Sequence, residues 1–394
     1  LQAKKKSLLT CLNLNSPNGP ERLISRGFYR YLANKLKRMN SSLSWPFILG
    51  KLLDRHDLER AEAAWAMEQI MSGDCDPSVT GAFMLALRSK GESVGELAGL
   101  VDTMLENSVI LDTGNRAVDI VGTGGDMIGT VNVSSMASIV TAAAGVPVMK
   151  HGSRSASGKT GSSEMLEVLG IRLDLSPERV AQVFREVGIT FFFAPVFHPA
   201  MRHVAPIRKA IGVPTTFNFL GPLANPAQPI ATSLGVSDAK LAPLMAAELA
   251  ARGRTGLVFR GNDGLDELST TGPSHIWAVC GGKVTEITLN PATFGVKIAE
   301  IGQLIGGDAH FNAQVTRDLL AGERSGNLTA IRDIVALNAA GGLLAFELAT
   351  SAPEVVDQKW FDERFAAQLQ IAFEALDSGA AAKKLSAWMD ATQV

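Results

Sequence analysis

Val118-Asp-Ile-Val-Gly-Thr-Gly-Gly-Asp126 is the stretch from which the fold can be read. Its first four residues make a short, mostly apolar strand, and the glycines that follow end it in a polar turn. The pattern repeats downstream. Residues 134–144 carry the apolar spacing of a helix that stops at Gly145, and Val146-Pro-Val-Met149 is a second strand running into Lys150-His-Gly-Ser-Arg154. Further strands are expected at residues 189–193, 233–236, 256–259, 275–279 and 283–289, with helices between several of them. This alternation predicts an α/β fold with a largely parallel sheet flanked by helices. In such sheets ligands sit at the carboxyl ends of strands, where both glycine-rich segments lie.

Upstream the period is helical. Residues 45–107 read as one helix after another. Asp57 is the expected N-cap of the first clear one, with Glu59 in its first turn and Ala61, Ala64, Trp65, Met67, Ile70 and Met71 at helical spacing up to Gly73. Asp76-Pro77 starts a second. Ser93 and Glu96 form a capping box for a third. The block offers no chemistry and reads as packing or oligomer surface.

Composition sets limits. With 394 residues, 46% hydrophobic and 19% charged, the chain can bury a large core, which excludes a disordered or fibrous protein. No uncharged apolar run reaches the length of a membrane span, so a soluble protein without a membrane partner is expected. Cys11, Cys75 and Cys280 are far apart, against a disulfide scaffold or zinc site and for a reducing, cytoplasmic setting. Residues 1–38 hold nine basic residues and one acid, whereas the remainder holds 28 basic and 38 acidic residues. The basic segment is expected to lie outside the fold, which then begins near Met39. The competing reading is an arm for nucleic acid or membrane, and the net charge of −10 elsewhere disfavours nucleic acid.

Three segments carry chemistry. The turn Gly122-Thr-Gly-Gly-Asp126 resembles an anion cradle, because glycine lets backbone N–H groups approach phosphate oxygens. It is neither a Walker loop nor a dinucleotide fingerprint, and a plain tight turn explains it as well. Asn132-Val-Ser-Ser135 opens a helix, where Asn and Ser serve equally as caps or as phosphate contacts. Residues 150–163 hold two lysines, one arginine, one histidine, three glycines and five serines. They read as a flexible, cationic, hydroxyl-rich loop suited to a polyphosphate. Asp263-Gly-Leu-Asp-Glu267 follows a strand, and its adjacent carboxylates repel unless a cation joins them. Mg²⁺ with phosphate ligands is the natural candidate.

Together these segments resemble the anthranilate phosphoribosyltransferase family, which shares its fold with pyrimidine nucleoside phosphorylases. The resemblance runs from about Trp45 to near the C-terminus. Besides the stretches above it rests on Phe193-Ala-Pro195, His198-Pro-Ala-Met201, Pro206-Ile-Arg208, Phe217-Asn-Phe-Leu-Gly-Pro-Leu-Ala-Asn-Pro226 and Gly264-Leu-Asp-Glu-Leu-Ser269. It implies a small helical domain (residues 44–113 with part of 178–212), a large α/β domain (114–177 and 213–394) and a basic extension (1–43). It also implies a homodimer, and transfer of phosphoribose from phosphoribosyl pyrophosphate (PRPP) to the amine of anthranilate in tryptophan biosynthesis. By that resemblance Gly122, Gly125, Asp126, Thr130, Asn132, Val133, Ser134, Ser135, Lys150, Arg154, Ser157, Gly158 and Ser162 contact PRPP. Gly122, His151, Ser153 and Arg208 line the anthranilate site, and Ser134, Asp266 and Glu267 hold Mg²⁺. No residue is implied as acid or base, and His198 and His203 are expected to pack or hydrogen-bond. The chain departs from the family pattern at Ser153 (Asn), Gly158 (Ser) and Ser135 (Thr), and Met127-Ile-Gly129 is unusually apolar. Ser153 makes a weakened or shifted acceptor preference the expectation. A nucleoside phosphorylase, another aromatic amine acceptor and a non-catalytic nucleic-acid-binding relative are the alternatives.

Overall fold

The computed structural model describes residues 43–111, 113–114, 116–154 and 160–393. The basic segment, and Ser157 and Gly158 of the cationic loop, lie outside the described residues. Of the described residues, 43–48 belong to one unit, and Leu49–Val394 form the other, which holds the sheet and the helices around it.

The N-terminal part is helical: α1 (Trp45–Leu53), α2 (Arg60–Ser72), α3 (Pro77–Lys90) and α4 (Val94–Glu106). Asp76 caps α3 by accepting from the Ser78 N–H at 2.8 Å, as expected. The Ser93–Glu96 capping box of α4 also forms. The start of α2 differs from expectation. Asp57 is taken by the Lys90 ammonium, so the cap moves two residues on to Glu59, where the Glu62 carboxylate accepts from the Glu59 N–H at 2.8 Å.

The α/β part is a seven-stranded sheet: β1 (Val118–Gly122), β2 (Val148–Gly152), β3 (Ile189–Phe193), β4 (Ala231–Gly235), β5 (Thr255–Gly261), β6 (Ser274–Cys280) and β7 (Lys283–Leu289). Their order is β3-β2-β1-β4-β5-β6-β7. The first five are parallel, and β6 and β7 add as an antiparallel hairpin. The chain moves outward from β1 to β3 and then returns to lay β4 on the other side of β1. The β1–β4 boundary is therefore the topological switch point, where a crevice opens above the strand ends. Gly122 and Gly235 pair there.

β2 begins two residues later than the sequence suggested, because Pro147 has no N–H for the ladder. Lys150 and His151 therefore lie inside a strand, not in a flexible loop, and both are buried.

Helices α5 (Val133–Ala143), α6 (Ser162–Leu169) and α7 (Pro177–Val187) fall among the first three strands. The short α8 (Ala194–Phe197), a 3₁₀ turn (Pro199–His203) and α9 (Ala205–Ile211) then run back to the helical part. There the His203 ring packs on Gly73, and Ile207 lies beside Gly81. Arg88 of α3 crosses to Asp238 at 2.9 Å, and Thr216 donates to Glu92.

After α10 (Leu241–Ala251) and the hairpin come α11 (Ala309–Leu320), α12 (Leu328–Ser351), α13 (Gln358–Asp377) and α14 (Ala380–Gln393). α12 is long and apolar enough to cross a membrane, but 72% of its apolar window is buried inside the fold. It is a core helix, packed on α5 and on β1, β4 and β5. Gly341 and Gly342 allow that approach, since a Cβ on Gly342 would come within 2.5 Å of the Ile120 side chain. Asn338 of α12 accepts from the Leu268 N–H at 2.9 Å and donates to the Leu268 carbonyl at 2.9 Å. All three groups are buried, so Asn338→Ala leaves a buried donor and acceptor unpaired. Two such penalties amount to about 3 kcal/mol. Urea unfolding should show that loss, and an unchanged midpoint would refute the anchoring role.

Candidate active site

Asp266 is the centre of the crevice. A Cβ at Gly235 would lie 1.7 Å from the Asp266 carbonyl oxygen, and one at Gly122 would lie 2.2 Å from Asp266 Oδ2. Only glycine at both strand ends lets the 266–267 segment rest on them. Asp266 Oδ2 accepts from the Gly124 N–H at 2.7 Å. The Ser134 N–H at the start of α5 faces the Glu267 carboxylate and favours its charged form. The acidic turn, the glycine-rich turn and the helix N-terminus thus meet above β1 and β4.

Lys150 supplies the positive charge. Its Nζ donates to the Ile120 carbonyl at 2.6 Å and to Ser134 Oγ at 3.3 Å. Burial pushes the ammonium down, and Asp119, Glu267 and Asp266 pull it back up. Burial pushes Asp266 up to about 6, with Asp126 adding repulsion and the Gly124 N–H opposing. Glu267 is raised well above the usual carboxylate range, first by burial and then by Asp266. One buried ammonium faces two buried carboxylates and Asp126, an excess of negative charge that suits a hard cation. No group of three acids, histidines or cysteines among the described residues could close on a metal. The donors fit Mg²⁺ held by one or two carboxylates and completed by substrate oxygens and water, which is its usual habit.

Asp119 was not singled out by motif or spacing, although a carboxylate amid apolar strand residues is a signal in itself. It is fully buried, accepts from the His151 N–H at 3.1 Å and from Asn225 Nδ2 at 2.8 Å, and burial lifts it to about 6. Asn225 also donates to the Met149 carbonyl at 2.8 Å. This pair joins the end of the 217–226 stretch to β1 and β2, fixing where Lys150 and His151 stand.

The turn after β1 bends sharply. Gly124, Gly125, Met127 and Gly129 all have positive φ, which Met127 adopts at a cost. Asn132 holds the N-cap position of α5, yet its side chain makes no cap hydrogen bond. It donates instead to the Thr160 carbonyl at 3.4 Å and accepts from Asn312 Nδ2 at 2.8 Å. Capping therefore does not explain Asn132. Thr130 bridges to Ile305. Val133 and Ser135 are buried, and the Ser135 hydroxyl has no hydrogen-bond partner among the described residues. Arg154 is half-exposed and held by Glu167 through two bonds of 3.0 and 2.9 Å. Ser153 beside it is exposed. Ser162 opens α6 with its hydroxyl against Gly152, where a Cβ would come within 2.8 Å of it.

Arg208, on α9, has no acidic partner among the described residues, and burial lowers its guanidinium pKa. An unpaired, half-buried guanidinium fits a carboxylate ligand. His151 Nδ1 bonds the Gly221 carbonyl at 3.0 Å, while its Nε2 is buried and unpartnered among the described residues. Burial first, then the His198 ring 5.1 Å away, lowers His151 to about 3. Burial holds His198 near 4, and its Nε2 bonds the Ala224 carbonyl at 3.0 Å. Both rings stay neutral at pH 7.

Known proteins resemble the chain over most of its length. Residues 47–108 match the helical bundle domain of a glycosyl transferase family, and residues 114–382 match its a/b domain. The chain is 50% identical over 355 residues to anthranilate phosphoribosyltransferase of Leifsonia xyli, covering 90% of this chain and 100% of that one. It is 49% identical to that of an Arthrobacter strain, over 89% of this chain and 96% of the relative. The crystal structure of the Thermus thermophilus enzyme matches with a TM-score of 0.78 at 38% identity, over 88% of this chain and 99% of that chain. The Saccharomyces cerevisiae enzyme in complex with PRPP and Mg matches with a TM-score of 0.76 at 27% identity, over 89% and 98%.

A buried histidine that cannot protonate in the fold has a definite pH signature. The unfolded ring takes a proton near 6.5 and the folded ring only near 3, so the stability that neutral His151 contributes is present above pH 6.5 and lost progressively as pH falls toward 3. Imidazole NMR signals of His151 should not titrate between pH 8 and 5, and a midpoint near 6.5 would contradict the burial. The chain belongs to the anthranilate phosphoribosyltransferase family.

Proposed function

We propose that the crevice above β1 and β4 seats PRPP and Mg²⁺, that Arg208 binds the acceptor carboxylate, and that His151 and Gly122 line the acceptor side. The chain transfers phosphoribose from PRPP to the amine of anthranilate, giving N-(5′-phosphoribosyl)anthranilate and pyrophosphate, a step of tryptophan biosynthesis. The observation that carries the site assignment is the seating of Asp266 on Gly122 and Gly235 beside Lys150.

In this reaction the aromatic amine attacks the anomeric carbon. The N–C bond forms, the bond to the pyrophosphate oxygen breaks, and the amine loses a proton to solvent. An aromatic amine is already neutral at pH 7, so no general base is required at the nucleophile. His151, held near 3, is a poor proton acceptor in any case. The work is alignment of two substrates and neutralisation of the leaving group. Asp266 and Glu267, with the Ser134 hydroxyl nearby, would hold Mg²⁺. When bound, Mg²⁺ neutralises charge on the pyrophosphate. Lys150 adds a fixed positive charge to the same floor. Gly122, Gly125, Asp126, Thr130, Asn132 and Ser162 form the walls for PRPP, and Arg154 requires release from Glu167 to take part. The half-buried Arg208 guanidinium, without an acidic partner among the described residues, matches a planar carboxylate.

The reading includes a small helical domain of residues 44–113 with part of residues 178–212. It also includes a homodimer through that domain, supported by Leu53 and Leu85, whose side chains lie exposed on α1 and α3. A reducing, cytoplasmic location fits the free thiols of Cys75 and Cys280.

Fluorescence turnover of anthranilate with PRPP tests the assignment. Mg²⁺-dependent loss of anthranilate that EDTA abolishes is expected. Arg208→Ala should raise the KM for anthranilate 10- to 100-fold, the loss of about 1.5–3 kcal/mol in charged hydrogen bonding, with the KM for PRPP unchanged. An equal rise in both constants would refute the division of the site. Ser153→Asn should lower the KM for anthranilate, and an unchanged value would refute the idea that Ser153 shifts acceptor preference.

A further inference from the structure

Gly306-Gly-Asp308 repeats the Gly-Gly-Asp of the turn after β1, and the fold brings the two together. The Gly306 N–H donates to the Gly129 carbonyl at 2.9 Å, and the Val131 N–H donates to the Leu304 carbonyl at 3.0 Å. A Cβ at Gly306 would lie 2.7–2.9 Å from Asn312 Oδ1, the Thr130 carbonyl and the Val131 nitrogen. Segment 304–307 is thus a strap lying on the glycine-rich turn.

The strap ends in a closed ring of hydrogen bonds. The Gly307 N–H donates to Asn312 Oδ1 at 2.9 Å. Asn312 Nδ2 donates to Asn132 Oδ1 at 2.8 Å. Asn132 Nδ2 donates to the Thr160 carbonyl at 3.4 Å. Thr160 Oγ1 donates back to the Gly307 carbonyl at 3.0 Å. Every donor meets an acceptor, so the ring fixes which way the Asn132 amide faces. One Nδ2 hydrogen and one Oδ1 lone pair of Asn132 remain for a ligand. Asn312 is itself buried on α11, and it is 180 residues from Asn132 in sequence.

We propose that Asn312 is a positioning residue for PRPP: it orients Asn132 and, through the ring, joins the glycine-rich turn to the returning end of the cationic loop at Thr160. The proposal rests on the reading of Asn132 as a PRPP contact. Asn312 touches no substrate; it acts through the amide it holds.

Asn312→Asp tests this role. It keeps the acceptor for the Gly307 N–H, replaces the donor to Asn132 by an oxygen, and adds a negative charge. The KM for PRPP, and its calorimetric Kd with Mg²⁺ present, should rise about tenfold. The KM for anthranilate should stay near its original value, while the melting temperature falls because the new carboxylate is buried. Added to Asn132→Ala, the substitution should cost little more, because the two act as one unit. A full tenfold loss in the Asn132→Ala background would show that the new negative charge repels phosphate directly and would overturn the proposal. So would a normal KM for PRPP in Asn312→Asp alongside a raised one in Asn132→Ala. A normal KM in Asn132→Ala itself would remove the underlying reading of Asn132, and the proposal with it. Thr160→Val opens the ring on its far side and provides the same readout if Asn312→Asp fails to fold; an unchanged KM for PRPP there overturns the proposal.

Discussion

The seating of Asp266 on Gly122 and Gly235 is the contact on which the rest of the molecule depends. It requires two strand ends without side chains at the one boundary where the sheet reverses its winding. It also requires a turn after β5 that brings Asp266 and Glu267 back across the sheet. Asn338 reaches up from the core helix to hold both backbone groups of Leu268 next to them. The helices on the far face therefore serve the site directly, and the apolar bulk of α12 is what brings Asn338 within reach.

Charge is the second organising fact. Burying carboxylates costs free energy unless they are paired or bonded. The sheet answers with Lys150, with N–H groups from Gly124 and Ser134, and with the Asp119–Asn225 bridge beneath. Such a network is worth keeping only where its polar groups have work to do. A pyrophosphate ester with a divalent cation would provide that work: the floor of the crevice carries the Asp266 and Glu267 carboxylates beside the Lys150 ammonium.

Much of the fold was legible in local pattern. Short apolar strands ending in glycine, separated by helical spacing, gave a parallel sheet, and six of the expected strands overlap those observed at their centres. Boundaries slipped where a tertiary partner intervened: Lys90 took Asp57 from its cap, and Pro147 delayed β2. The site was legible where chemistry concentrates in a few adjacent residues, as at 122–126 and 266–267. It was not legible where function passes through a residue far away in sequence. Asn312 and Asn338 look like ordinary helix residues until the fold sets them beside Asn132 and Leu268. Asn132 itself was ambiguous, since an N-cap and a ligand share one residue type, and only its bonds to Asn312 and Thr160 settle against capping.

The central claim is that Asp266 and Glu267, resting on the paired glycines beside Lys150, form the seat for PRPP with its cation. Titration calorimetry of PRPP, with and without Mg²⁺, on the original chain and on Asp266→Asn/Glu267→Gln tests it most directly. The account predicts that Mg²⁺ tightens PRPP binding in the original chain and has no such effect in the double variant. Equal tightening by Mg²⁺ in both would place the cation elsewhere and contradict the account.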